Sequence, residues 1–170
     1  MDLAQYIRNI PDFPKPGIQF KDITTLLKDP AAFHVCIDQL ANYFRDSAPD
    51  LIVGIEARGF IIGAPIAYNL GCGFIPIRKK GKLPFTVYSR SFELEYGLET
   101  LEIHSDALED GQKILIVDDV LATGGTTTAV CEMIEKLGGV IVGIGFVLEL
   151  DFLKGRDKFA SYNVHSLISV

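Results

Sequence analysis

The chain has no tryptophan and, in 170 residues, only three cysteines, three histidines and two methionines. Cys36, Cys72 and Cys131 lie far apart and form no CxxC pair. That excludes a thiolate zinc site and a disulfide framework, and it suggests free buried thiols in a reducing compartment. His34, His104 and His165 lack metal-type spacing and read as structural or surface residues. Long hydrophobic runs are missing: the longest largely apolar stretch, Gly139 to Leu148, is too short to span a bilayer. The first residues lack the apolar core of a signal peptide. A cytoplasmic chain with no membrane partner is the expectation. Excess positive charge is also missing, with 16 Lys and Arg against 22 Asp and Glu and a formal net charge of −6. Nothing in that balance suggests a nucleic-acid partner. No repeat or low-complexity segment is present. Hydrophobic residues at 48% and charged residues at 22% suit a globular protein, and the length suits one domain, 1–170.

The most informative stretch runs from Ile114 to Thr126, Ile-Leu-Ile-Val-Asp-Asp-Val-Leu-Ala-Thr-Gly-Gly-Thr. Its four leading aliphatic residues read as a strand buried on both faces. Asp118 and Asp119 follow at the strand's carboxyl end. A loop of small residues comes next, Ala122, Thr123, Gly124, Gly125 and Thr126, and then apolar residues at helical spacing, Ala129, Val130, Met133, Ile134 and Leu137. Ligands of open α/β sheets bind at the carboxyl ends of strands. A glycine loop entering a helix offers free backbone N–H groups to an anion. Two carboxylates beside it can accept sugar hydroxyls or a divalent cation. A phosphorylated sugar fits both halves. A buried strand, turn and helix with no ligand is the competing reading.

The remaining pattern alternates strand and helix. Leu3 to Asn9 reads as a short helix ended by Pro11, Pro14, Pro16 and Gly17. Asp29-Pro30 is a helix start, with an apolar stripe from Phe33 to Phe44. Strands are expected at 51–55, 73–77, 140–150 and 163–168, and a helical stretch broken by Pro65 at 60–70. Residues 81–104, rich in Thr, Tyr, Ser and Glu, read as an exposed β-hairpin or lid. The whole implies an α/β fold with a mostly parallel twisted sheet and helices on both faces.

Four further clusters carry charge or aromatic surface. Glu56-Ala57-Arg58 sits at a strand end before a helix, so it should face the same crevice. Its bland reading is a helix start with a surface arginine. Arg78, Lys79, Lys80 and Lys82 form a basic run that stands out in an acidic chain. Taken alone it would read as a solvated charge run or a nucleic-acid patch. Phe92-Glu93-Leu94-Glu95-Tyr96-Gly97 lies inside the 81–104 segment, where its two glutamates could serve only solubility. Gln19-Phe20-Lys21 follows a proline-rich stretch, and Phe20 could equally be a core residue.

On these residues the chain resembles the type I phosphoribosyltransferases, and within them the adenine-specific enzymes. The resemblance covers nearly the whole chain in order. It implies a twisted sheet with a small N-terminal hood (1–28) and a flexible catalytic lid (81–104). It also implies the reaction of adenine with 5-phosphoribosyl-1-pyrophosphate (PRPP) to give AMP and pyrophosphate, with Mg2+ and an oxocarbenium-like transition state. By resemblance, Ala122 to Thr126 hold the 5-phosphate and Asp118 and Asp119 face the ribose hydroxyls. Magnesium would be held mainly by PRPP and water, with the two aspartates as possible ligands. Glu56 and Ala57, joined by a non-proline cis peptide, would meet the pyrophosphate together with Arg58, Arg78, Lys79 and Lys82. Gln19, Phe20 and Lys21 would take the adenine, the ring by stacking and the backbone by reading its edge. Glu95, Tyr96 and Arg58 are the implied catalytic residues. A homodimer is the expected assembly, with small molecules as the other partners.

Two alternatives stay open at this point. A 6-oxopurine enzyme usually carries an acidic residue in the phosphate loop, where this chain has Ala122. A non-catalytic PRPP-binding regulator would normally add a DNA-binding domain, for which 170 residues leave no room. A phospho-receiver domain needs more chain after the acidic pair, and a P-loop NTPase needs a GxxxxGK[ST] run that is absent.

Overall fold

The computed structural model describes residues 1–94 and 97–170. Glu95 and Tyr96, expected on the lid, fall outside the described residues. A two-stranded N-terminal hairpin, β1 (Arg8–Ile10) and β2 (Phe20–Asp22), leads into helices α1 (Thr24–Lys28) and α2 (Pro30–Phe44). The Asp29 carboxylate caps α2, accepting from the Ala32 N–H at 2.9 Å, with Pro30 at the first helical position, as Asp-Pro signals. Strand β3 (Leu51–Ile55), helix α3 (Arg58–Leu70) and β4 (Gly73–Lys79) follow. Then come the hairpin β5 (Val87–Leu94) and β6 (Gly97–His104), and β7 (Lys113–Leu121) with α4 (Gly125–Lys136). The chain ends on β8 (Val140–Glu149) and β9 (Val164–Ser169).

Seven strands form one sheet in the order β5-β6-β4-β3-β7-β8-β9. The five strands from β4 to β9 in that order are parallel, and β6 and β5 add antiparallel at one edge. From β3 the chain passes first to β4 on one side and later to β7 on the other. Order therefore reverses between β3 and β7, where an open α/β sheet opens a crevice at its carboxyl ends. The sheet is apolar on both faces. Helices α2 and α3 cover Ile52, Leu115, Val117 and Val147 on one side. On the other, α4 and the hairpin cover Val53, Ile55, Ile116, Ile144 and Phe146. Phe44 presses directly on β8. A Cβ at Gly143 would fall 2.4 Å from the Phe44 ring, so only glycine lets the helix come this close.

Three expectations change. Leu3 to Asn9 is not one helix: Leu3–Tyr6 is a single 3₁₀ turn, and Arg8 onward is strand. Long-range bonds decide it, since Arg8 pairs with Asp22 at 2.6 Å and the Thr25 hydroxyl captures the Tyr6 carbonyl at 2.6 Å. Pro65 does not break α3, which runs on through it. Proline removes one helical N–H, and the carbonyl it frees belongs to solvent-exposed Ile61. The 81–104 hairpin is not wholly exposed, because β6 joins β4 (Lys79 beside Leu101) and buries Leu101 and Ile103 in the core.

The three thiols are free, Cys36 and Cys131 buried and Cys72 half-buried. Burial pushes the Cys36 and Cys131 thiols up to about 12. Among the described residues no helix is long and apolar enough to cross a membrane.

Candidate active site

The crevice at the β3/β7 switch holds most of the residues singled out from the sequence. A cleft of about 550 Å³ is lined by Glu56, Ala57, Arg58, Lys79, Asp118, Asp119 and Thr126, together with Ile55, Glu99 and Leu101. The Glu56–Ala57 peptide is cis, and it delivers the chain from β3 into α3 at the edge of this cleft. A small concavity opens beside it, bounded by Val120, Leu121, Ala122, Thr123, Gly124, Gly125 and Thr127. A third, of about 320 Å³, brings Gln19, Phe20 and Lys21 from the N-terminal hairpin against Arg58, Asp119, Ala122 and Leu150.

The glycine loop is shaped by its backbone. Gly124 has φ +81°, a left-handed conformation that turns the chain into α4. No side chain caps this helix. Its first-turn N–H groups therefore point into the concavity with no helical partner, and the positive end of the helix dipole adds to them. The Thr128 hydroxyl bonds back to the Gly124 carbonyl at 2.8 Å and fixes the first turn.

Arg58, Arg78 and Lys79 each have a carboxylate partner. The Arg58 Nε–H donates to Asp119, and its guanidinium lies 5.9 Å from the Phe20 ring centroid, so one side chain links the cleft to the aromatic concavity. Lys79 Nζ lies 3.1 Å from Glu99. Arg78 donates to both Glu56 oxygens, at 3.2 and 3.3 Å, and the Lys79 backbone N–H donates to Glu56 at 2.8 Å. Burial pushes the Glu56 carboxyl up, but the Lys79 N–H and Arg78 outweigh it and hold Glu56 below the usual carboxylate range. Asp118 moves the other way. Burial, and then the charge of Asp119, raise it well above an ordinary aspartate. The Asp119 N–H donates to Asp118 at 2.9 Å.

Not every candidate converges. Arg78 and Lys82 do not line the cleft. Arg78 donates to Glu56 and to the Lys82 carbonyl at 3.4 Å, so it ties the turn after β3 to the turn after β4. The Glu56 carboxylate faces these cations and not an anion. The Lys21 ammonium is held by Asn9 at 2.7 Å. Glu99, Leu101 and Leu150 were not anticipated. Glu99 and Leu101 share one face of β6, two residues apart, so alternation along the strand could have paired them. Leu150 needed the strand order, since it follows β8 and lies beside the end of β7, its N–H bonded to the Leu121 carbonyl at 2.9 Å.

Comparison with known proteins shows the family and the fold. The family model of the phosphoribosyl transferase domain matches residues 22–168. The chain is 58% identical over 168 residues to an adenine phosphoribosyltransferase of Desulfitobacterium hafniense, covering 99% of this chain and 97% of that one. The crystal structure of an adenine phosphoribosyltransferase from Thermoanaerobacter pseudethanolicus superposes with a TM-score of 0.95 at 53% identity, over 99% of this chain and 98% of that one. The Saccharomyces cerevisiae enzyme of the same name, complexed with an imino-altritol bisphosphate and adenine, gives 0.92 at 39% identity, over 97% and 96%.

Proposed function

This chain belongs to the phosphoribosyl transferase family, and from that premise we infer its chemistry. It transfers the 5-phosphoribosyl group of PRPP to adenine, yielding AMP and pyrophosphate, a purine-salvage reaction. The observation that carries the site assignment is the meeting of three recesses around Asp118 and Asp119, one cationic, one lined by free helix N–H groups and one aromatic. Each suits one part of the substrates.

In the reaction the bond from ribose C1 to the pyrophosphate oxygen breaks and a bond from C1 to adenine N9 forms. The loop from Ala122 to Thr126 holds the 5-phosphate on its N–H groups and hydroxyls. Asp118 and Asp119 accept the ribose hydroxyls. Arg58 and Lys79 meet the pyrophosphate as negative charge builds on it, joined by Lys82 from the turn after β4, with Arg78 tying that turn to Glu56. Electrostatic stabilisation of this kind supplies the largest share of the rate, and fixed placement of the two substrates supplies much of the rest. Arg58 leaves Asp119 for the pyrophosphate when PRPP enters, which frees Asp119 for the ribose. Phe20 stacks on the adenine, and the backbone at Gln19 and Lys21 reads its edge. Glu95 manages the N7 proton or the charge on the ribosyl cation, and Tyr96 excludes water that would hydrolyse it.

Enzymes of this family generally need magnesium. Among the described residues no group of three or more His, Cys, Asp or Glu side chains could hold a metal alone. The Asp118–Asp119 pair does fit a magnesium that arrives on phosphate oxygens and keeps its waters. Bound there, the ion would neutralise pyrophosphate charge. The working unit is a cytoplasmic homodimer in this reading. The alternatives, a 6-oxopurine enzyme or a PRPP-binding regulator, lack the support that the named relatives give to adenine.

The test offers PRPP and magnesium with adenine, hypoxanthine, guanine, xanthine or orotate separately. Nucleotide formation with adenine alone is expected. Turnover with another base would discard the base assignment, and PRPP binding without any turnover would favour the regulator.

A further inference from the structure

Behind the phosphate loop lies a short turn, Gly155–Phe159, that contributes no side chain to the cleft or its two neighbouring recesses. Its backbone touches the loop directly. A Cβ on Gly155 would sit 2.1 Å from the Ala122 carbonyl oxygen and 3.1 Å from the Thr123 carbonyl carbon. A Cβ on Gly124 would meet the Gly155 carbonyl oxygen and the Phe159 ring, both at 3.0 Å. Backbone therefore packs on backbone with no side chain between, so a shift of the turn is transmitted to the loop.

A polar cluster around buried Glu149 pins the turn, with the Arg156 side chain 45% exposed. The Arg156 Nε–H donates to Glu149 at 2.9 Å, and its Nη2 is paired with the same carboxylate. Nη1 donates to the Val164 carbonyl at 2.9 Å and Nη2 to the Ser166 hydroxyl at 3.1 Å. The Ser166 hydroxyl in turn donates to Glu149 at 2.8 Å. Glu149 is 5% exposed, and Arg156 holds its carboxyl below the usual range. One guanidinium thus ties the turn to the end of β8 and the first half of β9, using a planar fork that lysine does not possess.

We propose that Arg156 is a positioning residue for PRPP: through Gly155 it holds Ala122 to Gly124 in the geometry that receives the 5-phosphate. The inference rests on the reading of that loop as the 5-phosphate site. It separates ligands by chemistry. PRPP and AMP carry a 5-phosphate and depend on the clamp, whereas pyrophosphate, taken by a cleft that none of Ala122 to Gly124 lines, does not.

The test measures KM for PRPP, Kd for AMP and for pyrophosphate, and the melting temperature. It uses the full-length wild type, Gly155→Ala, Arg156→Lys and, as a direct loop change, Thr126→Val. Arg156→Lys keeps the charge opposite Glu149 and removes only the fork, so it decides the matter if Gly155→Ala does not fold. Both clamp variants are expected to raise the PRPP KM and the AMP Kd together, about ten-fold, because small misplacements of binding groups are costly. The pyrophosphate Kd should hold. A lowered melting temperature with PRPP and AMP binding unchanged would make the cluster merely structural and overturn the proposal. So would equal weakening of PRPP, AMP and pyrophosphate. If Thr126→Val also left PRPP and AMP binding unchanged, the reading of the loop itself would fall.

Discussion

Replacing Arg58 by alanine separates catalysis from stability in a single variant. In the free protein its guanidinium pairs with Asp119 while its side chain is 46% exposed. Solvent screens such a pair, and its loss is worth no more than about 1 kcal/mol. For a chain of this length that lowers the melting temperature by roughly 2–4 °C. In the proposed reaction the same group meets pyrophosphate charge that develops only in the transition state. Removing one donor of that kind costs about 3–4 kcal/mol, or roughly 10²–10³ in rate. The assays are AMP formation under saturating PRPP and adenine, pyrophosphate titration, and thermal melting. The expected result is a rate down at least about 100-fold, weaker pyrophosphate binding, and a small thermal shift. Unaltered pyrophosphate affinity, or a large thermal loss with a near-normal rate, would refute the leaving-group role.

Other perturbations probe other parts. Asp118→Asn with Asp119→Asn should abolish nearly all AMP synthesis while the fold persists by circular dichroism; full synthesis would remove the aspartates from the ribose site. Glu95→Ala should lower kcat by about 10²-fold, the usual scale of a lost acid or base, with the PRPP KM little changed; an intact kcat would end that role. The N-terminal hairpin should loosen in acid through Asp22. Its carboxyl is held down at about 2 by the Thr24 N–H and then by Arg8 and the Thr24 hydroxyl, against the effect of burial. The folded value lies below the unfolded one of about 3.9, so the stabilisation is complete above that pH and is lost as pH falls toward 2. Thermal melts of wild type and Asp22→Asn should converge over that window, and a constant gap would contradict the assignment.

What could be read from the chain was what the chain encodes locally. Asp29-Pro30 carries its own cap, so the start of α2 was legible. Ile114 to Thr126 holds strand, acidic pair, glycine turn and helix entry within a few residues, so that local structure was legible. Features that depend on distant partners were not. Arg8 becomes strand because Asp22 and Thr25 capture its neighbourhood. Pro65 stays within α3 because the carbonyl it strands faces water. Leu150 and Gly155 reach the site only through the order of β7, β8 and β9, which no local pattern displays. Lys79 and Arg78 look alike in sequence. One faces the cleft and the other is bonded to Glu56, which depends on where the distant turn after β3 places that carboxylate.

The central claim is transfer of the ribosyl group to adenine, with water kept out. It is tested most directly by following adenine consumption, pyrophosphate release and ribose-5-phosphate formation together in one reaction with PRPP and magnesium. Adenine loss and pyrophosphate release should match mole for mole, with no ribose-5-phosphate. Pyrophosphate released without adenine consumed, accompanied by ribose-5-phosphate, would show hydrolysis in place of transfer and contradict the account.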